Sequence, residues 1–296
     1  MNLNIKRIAV NTGGGDAPGL NAVIRAVVRA AEQMDWEVLG IKDSYDGLFE
    51  EDGVVTLNRR SVRGITHLGG TILGTTNRGN PLKWPIRADG GAVTYMDRSQ
   101  EVVDALERLE VDALISIGGD GSLEIAHALS QKGLKVVGVP KTIDNDLEAT
   151  SVTFGFHTAV DTATDAIGKL HSTAESHQRV MVVEVMGRNA GWIALSSGVA
   201  GTADVILIPE IPYDMDIVCE KIQDRYASGR EFAIVVVAEG AFPKGSKPLF
   251  KQEDDGQKRL GGMAEQVAHD IHERTGRETR HLVLGPLQRG GGPNSY

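Results

Sequence analysis

The sequence contains one cysteine in 296 residues, few aromatic residues (5%) and no long apolar run. A single cysteine cannot form an intramolecular disulfide, and this composition suits a reducing compartment. No apolar stretch approaches the roughly 18 residues that a membrane-spanning helix needs. The N-terminal residues run directly into a predicted strand, which leaves no room for a signal peptide. We therefore expect a cytoplasmic protein that does not cross a membrane, with Cys219 as a small core residue.

The chain also lacks a positive charge balance. Its 31 lysine and arginine residues face 40 aspartate and glutamate residues, so the net charge is −9. An acidic chain is not expected to bind nucleic acid non-specifically. Anionic substrates would need locally clustered arginine or lysine side chains and a metal ion. The length suits two domains of ordinary size, and the 36 glycines indicate many tight loops.

Two stretches combine an apolar strand, a glycine-rich loop and a helix. Residues 5–34 contain the first loop, Thr12–Gly19, which we call the glycine loop. Residues 113–131 contain the second, Gly118–Ser122, with an acid, Asp120, inside it. Glycines let backbone N–H groups approach an anion, and a helix N-terminus favours negative charge. Both loops are candidates for phosphate binding, although neither matches the Walker pattern or G-x-G-x-x-G.

A third loop, Pro140–Asp146, follows a predicted strand over 135–139. Taken alone it is more often a solvated turn, because Asp and Asn favour turns. Open α/β sheets, however, place ligands at the carboxyl ends of their strands. There Asp144 could accept a proton from a substrate hydroxyl, and Asp146 could hold Mg²⁺. One such loop at a strand end can arise by coincidence. Three such loops at three strand ends are much harder to explain in that way.

The rest of the chain continues the alternation of strands and helices. We predict helices over 157–172, 214–226 and 262–275, and strands over 180–185, 204–208, 232–238 and 281–284. This alternation predicts an α/β fold of two doubly wound parallel-sheet (Rossmann-like) domains, with the active site in the cleft. The polar segment 243–259 is the only linker-like stretch. The chain stops at Tyr296, just after a glycine-rich loop, so we expect a C-terminal piece to be absent.

Five motifs together carry a family resemblance. They are Gly13–Gly19, Gly118–Ser122, Pro140–Asp146, Met186–Arg188 and Gln288–Gly291. In this order and spacing, over nearly the whole chain, they resemble the glycolytic 6-phosphofructokinases. The resemblance implies transfer of a phosphoryl group from ATP, with Mg²⁺, to the 1-hydroxyl of fructose 6-phosphate, giving fructose 1,6-bisphosphate. It also implies a homo-oligomer, a tetramer rather than a dimer, with active sites completed across subunits.

The resemblance assigns each domain a task. Residues 1–139 plus 251–296 would form the phosphoryl-donor (ATP/Mg) domain, and residues 140–250 the sugar-phosphate-binding domain. In-line phosphoryl transfer mainly requires positioning of the two substrates, Mg²⁺, and cations around the transferring group. The residues present agree with these requirements.

The resemblance also implies roles for individual residues. Asp144 would be the base toward the sugar hydroxyl, Thr142 would help hold phosphate and sugar, and Arg188 would stabilise charge on the transferring group. Asp120 would bind Mg²⁺, with Asp146 supporting the metal or its waters. Other residues would line the donor site: Gly15, Arg78, Gly119, Gly121, Ser122 and Lys141. Others would form the acceptor site: Ile143, Arg179, Met186, Gly187, Glu239, Arg280, Pro286, Leu287, Gln288 and Arg289.

Three of these arginines, Arg179, Arg280 and Arg289, would hold the 6-phosphate, some reaching across from a second subunit. Arginine suits planar, bidentate phosphate contacts. Without the resemblance, a solvated surface side chain is an equal alternative for each arginine, although the strand-end positions of Arg188 and Arg289 favour function.

Two positions bear on the phosphoryl donor and point in opposite directions. Family members with Asp at the position of Gly121 resemble pyrophosphate users, whereas Gly leaves room for a nucleotide. Lys141 is typical of pyrophosphate users, and Gly there is typical of many ATP users. The mixed pattern resembles an ATP-using branch in which the flexible lysine moves aside. We expect ATP, with pyrophosphate as the alternative.

Two departures from the family pattern concern the acceptor and regulation. Pro286 stands where the family usually has a histidine that contacts the sugar phosphate, and it removes a ring donor and a backbone N–H. Arg25 and Arg29 match an effector-binding pair of the allosteric bacterial enzymes. Gly229–Phe232 departs from their basic cluster, which argues against control by ADP or phosphoenolpyruvate. The alternative for both arginines is a solvated helix face.

Two rival classes stay open on the sequence. A non-catalytic sugar-phosphate- or nucleotide-binding homologue is suggested by Pro286, but every residue tied to the chemical step is intact. A lipid or NAD kinase also carries a Gly-Gly-Asp-Gly loop, but those kinases lack the Pro140–Asp146 and Met186–Arg188 motifs.

Overall fold

The computed structural model describes residues 5–76, 79–87, 93–247, 250–252 and 258–296. The chain forms two compact units. Unit 1 comprises Met1–Thr142, Leu147–Gly155 and Arg289–Tyr296, and unit 2 comprises Ile143–Asp146 and Phe156–Gln288. Both are built on parallel strands covered by helices, which confirms the predicted α/β class.

Unit 1 contains eight of the strands found in the described parts of the chain. They are β1 (Arg7–Thr12), β2 (Glu37–Ile41), β3 (Val54–Leu57), β4 (Trp84–Arg87), β5 (Val93–Met96), β6 (Ala113–Gly118), β7 (Val136–Thr142) and β8 (Phe154–Gly155). Its helices are α1 (Leu20–Glu32), α2 (Ser99–Arg108) and α3 (Asp120–Gln131), with short 3₁₀ turns at Asp46–Phe49 and Pro81–Lys83. Six strands form one sheet in the order β3-β2-β1-β6-β7-β8, parallel except for β3, and β4 and β5 form a hairpin.

The sheet of unit 1 reverses its direction of winding between β1 and β6. From β1 the chain moves to β2 on one side and then returns to place β6 on the other side. Thr12 at the end of β1 pairs with Ile117 near the end of β6. The glycine loop and the start of α3 therefore leave the same edge at the switch point, where doubly wound sheets bind ligands.

Hydrophobic burial fixes α1 against this sheet. Five of its apolar residues are buried at helical spacing: Leu20, Val23, Ile24, Val28 and Ala31. They pack with Ile8 and Val10 of β1 in one core cluster. Complete burial of a leucine or isoleucine side chain contributes roughly 1.5–3 kcal/mol. The helix that follows the glycine loop is thus held firmly in place.

Unit 2 contains a smaller, all-parallel sheet. The strands of unit 2, within and outside this sheet, are β9 (Val180–Val185), β10 (Val205–Leu207), β11 (Ala233–Ala238), β12 (Phe250–Gln252), β13 (Lys258–Leu260) and β14 (Thr279–Val283). Its helices are α4 (Phe156–His177), α5 (Trp192–Ala200), α6 (Met215–Ala227) and α7 (Met263–Thr275), with a 3₁₀ turn at Gly285–Arg289. The sheet order is β10-β11-β9-β14, and β12 and β13 form an antiparallel hairpin.

The observed division differs from the predicted domains at two places. Residues 140–142 and 147–155 were assigned to the second domain but lie in unit 1, and the segment 251–288 differs as well. That segment was assigned to the first domain but lies in unit 2. The physical reason is strand pairing, because β14 adds to β9 in parallel, with Thr279 opposite Val180. The polar stretch predicted as a linker contains the hairpin β12–β13.

Two further elements differ from the predicted ones. Strand β7 continues to Thr142 because Pro140 still pairs with β6 and because Lys141 and Thr142 pair with β8. Lys141 and Thr142 therefore lie on a strand and not in a loop. Helix α5 was not predicted, since its nine residues are too apolar to show a polar face. None of the described helices combines the length and the apolar character needed to span a membrane.

Candidate active site

The glycine loop in unit 1 is fixed by hydrogen bonds to two neighbouring segments. The N–H of Gly13 donates to the Ile117 carbonyl at 2.9 Å, which continues the pairing of β1 with β6. The N–H of Gly14 donates to the Thr76 carbonyl at 3.3 Å. In return, the hydroxyl of Thr75 donates to the Gly14 carbonyl at 2.6 Å. The loop is therefore a fixed structure and not a mobile turn.

The close approach of Ser122 explains why one position in this loop and one at the end of β6 are glycine. A Cβ atom on Gly13 would lie 2.6 Å from Ser122 Oγ, and one on Gly118 would lie 2.3 Å from Ser122 Cβ. Neither separation is tolerated between non-bonded atoms. The glycines allow the glycine loop and the first turn of α3 to lie side by side.

The N-terminus of α3 supplies an anion-binding feature next to the glycine loop. The Ser122 and Leu123 N–H groups donate to the Gly119 carbonyl at 3.1 and 3.0 Å. The first N–H groups of a helix have no partner inside the helix, and the helix dipole favours negative charge at this end. Asp120 is exposed here, and a Cβ on Gly121 would meet no atom within 4 Å. There is open space for a ligand at Gly121.

Lys141 lies on β7 with its ammonium group against the glycine loop. Its side chain is almost completely buried, at 3% exposure. The ammonium donates to the Gly13 carbonyl at 3.1 Å and also to the Gly15 carbonyl. The guanidinium of Arg289 lies beside the same loop, 3.1 Å from where a Cβ of Gly15 would project. The predicted donor-site lysine is therefore held by the loop.

Burial lowers the pKa of Lys141 from its ordinary value of 10.5 to about 8. The positive charge of Arg289 lowers this pKa further, and the carboxylate of Asp16 opposes the change. Between these two pKa values the folded protein binds fewer protons than the unfolded chain, so stability rises with pH.

The comparison of wild type with Lys141→Met tests this linkage. We expect the difference in unfolding free energy to grow in favour of the wild type by about 2 kcal/mol between pH 7 and pH 9.5. Urea unfolding of both proteins across that range measures it. A constant difference across that range would show that the lysine titrates normally.

The remaining donor-site candidates of unit 1 lie in the same neighbourhood. A Cβ on Gly119 would lie 3.4 Å from the Lys141 carbonyl and 3.9 Å from the Thr142 Cβ. The Thr142 carbonyl accepts a hydrogen bond from the Thr153 hydroxyl at 2.7 Å, which ties β7 to the chain before β8. Arg78, another predicted donor-site residue, lies outside the described residues.

In unit 2, Asp144 belongs to a group of charged residues at the carboxyl ends of β9 and β11. The pKa of Glu239 is raised by burial and, next, by the negative charge of Asp144, while Arg188 lowers it. The N–H of Gly187 hydrogen-bonds to the Glu239 carboxylate. Asn145 has φ +53°, in the left-handed region, which Asn tolerates well. The charges of Asp144, Glu184 and Arg188 therefore all act on the Glu239 carboxylate in this group.

Gly240 brings the loops after β9 and β11 together. Its N–H donates to the Gly187 carbonyl at 3.1 Å. A Cβ at this position would lie 1.9 Å from the Arg188 carbonyl oxygen. Only glycine fits, so the backbone that carries Arg188 can lie directly against the one that carries Glu239.

Arg179 and Arg280 do not join this group within one chain. Both pair with Glu278, at 2.9 Å for Arg179 and 2.7 Å for Arg280. They lie at the amino ends of β9 and β14, whereas Arg188 follows the carboxyl end of β9. A six-residue strand spans roughly 20 Å. Arg280 and Glu278 also line a cavity of about 650 Å³ at the edge of β14.

The other predicted acceptor residues differ in exposure. Ile143 is buried at 5% exposure and Gln288 at 0%. The Gln288 side chain donates to the Gly285 carbonyl at 3.2 Å. Met186 is half-buried, whereas Pro286 and Leu287 are exposed. Ile143 and Gln288 thus present no accessible side chain to a ligand.

The structure adds two residues that sequence reasoning missed. Glu184 is a buried carboxylate on β9 that accepts the Ala264 N–H at 2.9 Å and raises the pKa of Glu239. A glutamate in an otherwise apolar strand was the available signal. Thr75, three residues before Arg78, donates to the glycine loop, and no sequence signal identifies that contact.

The arginines Arg25 and Arg29 also have neighbours that the sequence did not predict. A cavity of about 470 Å³ is lined by both of them together with Val62 and three further arginines, Arg59, Arg60 and Arg63. Five guanidinium groups around one cavity favour an anion. Arg29 also forms a partly exposed ion pair with Glu32 of its own helix at 3.0 Å, so a solvated helix face stays the alternative.

Among the described residues, no three His, Cys, Asp or Glu side chains form a group that could hold a metal ion. Mg²⁺ in kinases is usually held by one or two carboxylates together with substrate phosphates. The exposed carboxylate of Asp120, at the helix end beside the open space at Gly121, fits that kind of donor set.

Fold and site define the class: an α/β protein with a glycine loop beside a helix N-terminus in unit 1, and a carboxylate–arginine group in unit 2. The family model described as Phosphofructokinase matches residues 7–296. The chain belongs to the phosphofructokinase family.

Individual relatives are similar over nearly the whole chain. The ATP-dependent 6-phosphofructokinase 2 of Clostridium perfringens is 52% identical over 99% of this chain and 81% of its own length. The ATP-dependent 6-phosphofructokinase of Chloroflexus aggregans is 51% identical over 98% of this chain and 80% of its own length.

Solved structures have the same fold. Pichia pastoris phosphofructokinase in the T-state superposes with a TM-score of 0.84 at 32% identity, over 98% of this chain and 30% of that chain. A pyrophosphate-dependent phosphofructokinase from Marinobacter aquaeolei superposes at 0.78 with 23% identity, over 96% of this chain and 69% of that chain. At 23% identity, the similarity to the Marinobacter aquaeolei structure supports the fold alone.

Proposed function

We propose that this protein is an ATP-dependent 6-phosphofructokinase, which transfers the γ-phosphoryl group of ATP to the 1-hydroxyl of fructose 6-phosphate. The observation that carries the proposal is the identity of 51–52% over 98–99% of the chain to relatives named for that activity. The charges of Asp144 and Arg188 both act on Glu239, so a candidate base and a cation lie in the same group of residues. This arrangement supports the proposal independently of the relatives.

On the acceptor side, Asp144 takes the proton of the 1-hydroxyl as that oxygen attacks the phosphoryl group. A positioned general base contributes about 10²–10⁴ to the rate. Arg188 offsets the negative charge on the transferring group. Glu239, with its raised pKa, hydrogen-bonds the sugar hydroxyls.

On the donor side, the glycine loop and the N-terminus of α3 hold the phosphate groups. Backbone N–H groups and the helix dipole favour this anion. Asp120 and Asp146 are our candidate ligands for Mg²⁺, which supplies charge neutralisation for the donor phosphates when bound. Most donor-site candidates thus lie in unit 1, together with Arg289, whereas unit 2 provides Asp146, the base and the other sugar-binding candidates.

The positions of Arg179 and Arg280 support a homo-oligomer. Both arginines lie at the end of the β9–β14 sheet opposite Arg188. They therefore serve the 6-phosphate of an active site in a neighbouring subunit, while Arg289 serves its own chain. A tetramer or a dimer provides such neighbours, and a cytoplasmic location suits the single cysteine.

The choice of ATP over pyrophosphate rests on the open space at Gly121. A nucleotide needs room that a carboxylate at this position would take away. Pyrophosphate is the second candidate donor, favoured only by the presence of Lys141.

Product analysis tests the proposed reaction. The protein is incubated with fructose 6-phosphate and MgATP, and ³¹P NMR follows the products. We expect ADP and a new sugar phosphate at C1, in equal amounts. ATP hydrolysis without a sugar product, or no consumption of ATP, would contradict the proposal.

Pro286 offers a test of the acceptor site. Pro286→His restores, at an exposed position, the ring that the family usually has. We expect KM for fructose 6-phosphate to fall about threefold to tenfold, since one hydrogen bond to a charged group is worth roughly 1.5–3 kcal/mol before ordering costs. Pro286→Ala is the matched control and restores only the backbone N–H. An unchanged KM in both variants would mean that another group already holds the phosphate.

A further inference from the structure

Side-chain donors hold the carbonyl groups of three successive residues in the glycine loop. The Lys141 ammonium donates to the carbonyls of Gly13 and Gly15. The Thr75 hydroxyl donates to the carbonyl of Gly14, between them, at 2.6 Å. Lys141 lies on β7 and Thr75 follows a turn after β3, so two separate parts of unit 1 hold this one segment.

Peptide geometry gives this arrangement a consequence for anion binding. In a planar trans peptide the C=O and the N–H of the next residue point in opposite directions. A carbonyl held toward Lys141 therefore turns the following N–H away from it. After the Gly13 carbonyl this is the Gly14 N–H, which donates to the Thr76 carbonyl. For the peptide between Gly15 and Asp16, the Asp16 N–H faces the side opposite the ammonium. A phosphate cradle needs N–H groups facing the anion and carbonyl oxygens turned away from it.

The energetic cost of burying the Lys141 ammonium indicates that its contact with the glycine loop has a function. Lys141 is 3% exposed, and burying a charged group is unfavourable unless it is paired and hydrogen-bonded. The nearby guanidinium of Arg289 adds repulsion. An ammonium has three N–H donors and no acceptor, so it can hold two carbonyl groups at once.

We propose that Lys141 is a positioning residue of the donor site, which fixes the Gly13 and Gly15 carbonyls on its own side so that the Asp16 N–H, and not a carbonyl oxygen, faces the donor phosphates. Lys141 does not contact the donor itself and does not select it. This inference rests on the proposed function for the identity of the donor. It explains how a lysine typical of pyrophosphate users is compatible with ATP without moving aside.

Three variants test the inference. Lys141→Met keeps the length of the side chain and removes every donor. Thr75→Val removes the hydroxyl that holds Gly14 and keeps the shape. Leu106→Ala, in α2, removes a fully buried core side chain far along the chain from the loop, and it controls for loss of stability alone.

Steady-state kinetics with MgATP and fructose 6-phosphate gives the first measurement. We expect Lys141→Met to raise KM for ATP at least tenfold and Thr75→Val about threefold. KM for fructose 6-phosphate stays within twofold in both, and Leu106→Ala leaves both KM values within twofold. A lower KM for ATP in Lys141→Met would overturn the inference, because the lysine would then be an obstacle to the nucleotide. A KM for ATP within twofold of the wild type would overturn it as well.

Hydrogen exchange gives a second measurement that needs no turnover. We expect the backbone amides of Gly13 and Gly14, which donate to the Ile117 and Thr76 carbonyls, to exchange at least tenfold faster in Lys141→Met than in the wild type, and not in Leu106→Ala. Unchanged exchange would overturn the inference even in an active enzyme. If the wild type fails to phosphorylate fructose 6-phosphate, the proposed function fails, while the exchange data still decide whether Lys141 positions the loop.

Discussion

Asp144→Asn is expected to lower kcat by about 10³-fold, within the range of 10²–10⁴ that a general base contributes. The amide keeps the size and planarity of the carboxylate but does not take up the hydroxyl proton. KM for ATP should stay within about twofold, because Asp144 belongs to the unit 2 segment Ile143–Asp146 and the donor loops belong to unit 1. Initial rates at saturating substrate measure the effect.

Loss of the fold is not expected to confound this result. The negative charge of Asp144 raises the pKa of Glu239, so removing that charge relieves repulsion between two carboxylates. Thermal unfolding of Asp144→Asn should therefore occur at the wild-type temperature or above it. Asp165→Asn is the matched control, since that exposed carboxylate on α4 forms an exposed i,i+4 ion pair with Lys169. Turnover of Asp144→Asn near the wild-type rate would exclude Asp144 as the base.

The second large effect is expected at Gly121. Gly121→Asp should lower kcat/KM for ATP by at least 100-fold, because it places a negative charge where the donor phosphates bind. The position has open space around the new Cβ, and an acid in the first turn of a helix is favourable by about 0.3–1 kcal/mol. The variant should therefore fold as well as the wild type.

Gly121→Asn separates charge from bulk in this experiment. The two side chains have nearly the same size, so a loss much smaller than 100-fold in the asparagine variant assigns the main effect to charge. Comparable losses in both variants would assign it to space. If Gly121→Asp uses ATP at the wild-type rate, the donor phosphates do not lie at the N-terminus of α3.

The positions of the main strands and of the loops at their ends were predictable because their signal is local. Apolar runs such as Val180–Val185 were predicted with the observed bounds. Glycines and acids directly after such runs placed the donor and base candidates at strand ends. The short hairpins, in contrast, lie in polar or turn-rich sequence that shows no helical or strand periodicity. Their structure is determined by the strands with which they pair.

The contacts of the site could not be read from the sequence. The sequence predicted Lys141 as a flexible residue, but its fixed position depends on how β7 pairs with β6 and β8. The family resemblance implied that some of Arg179, Arg280 and Arg289 reach across from a second subunit. Only strand direction shows that Arg179 and Arg280 lie at the end of the sheet opposite Arg188. Such relations arise from residues distant in sequence, so they follow from the fold and not from a motif.

The central claim is a reaction with ATP as donor and fructose 6-phosphate as acceptor. Initial rates with fructose 6-phosphate and Mg²⁺, measured side by side with ATP and with pyrophosphate, test it most directly. We predict turnover with ATP and at least 100-fold lower kcat/KM with pyrophosphate. Turnover with pyrophosphate alone would contradict the donor assignment and would return Lys141 to the role of a residue that excludes the nucleotide.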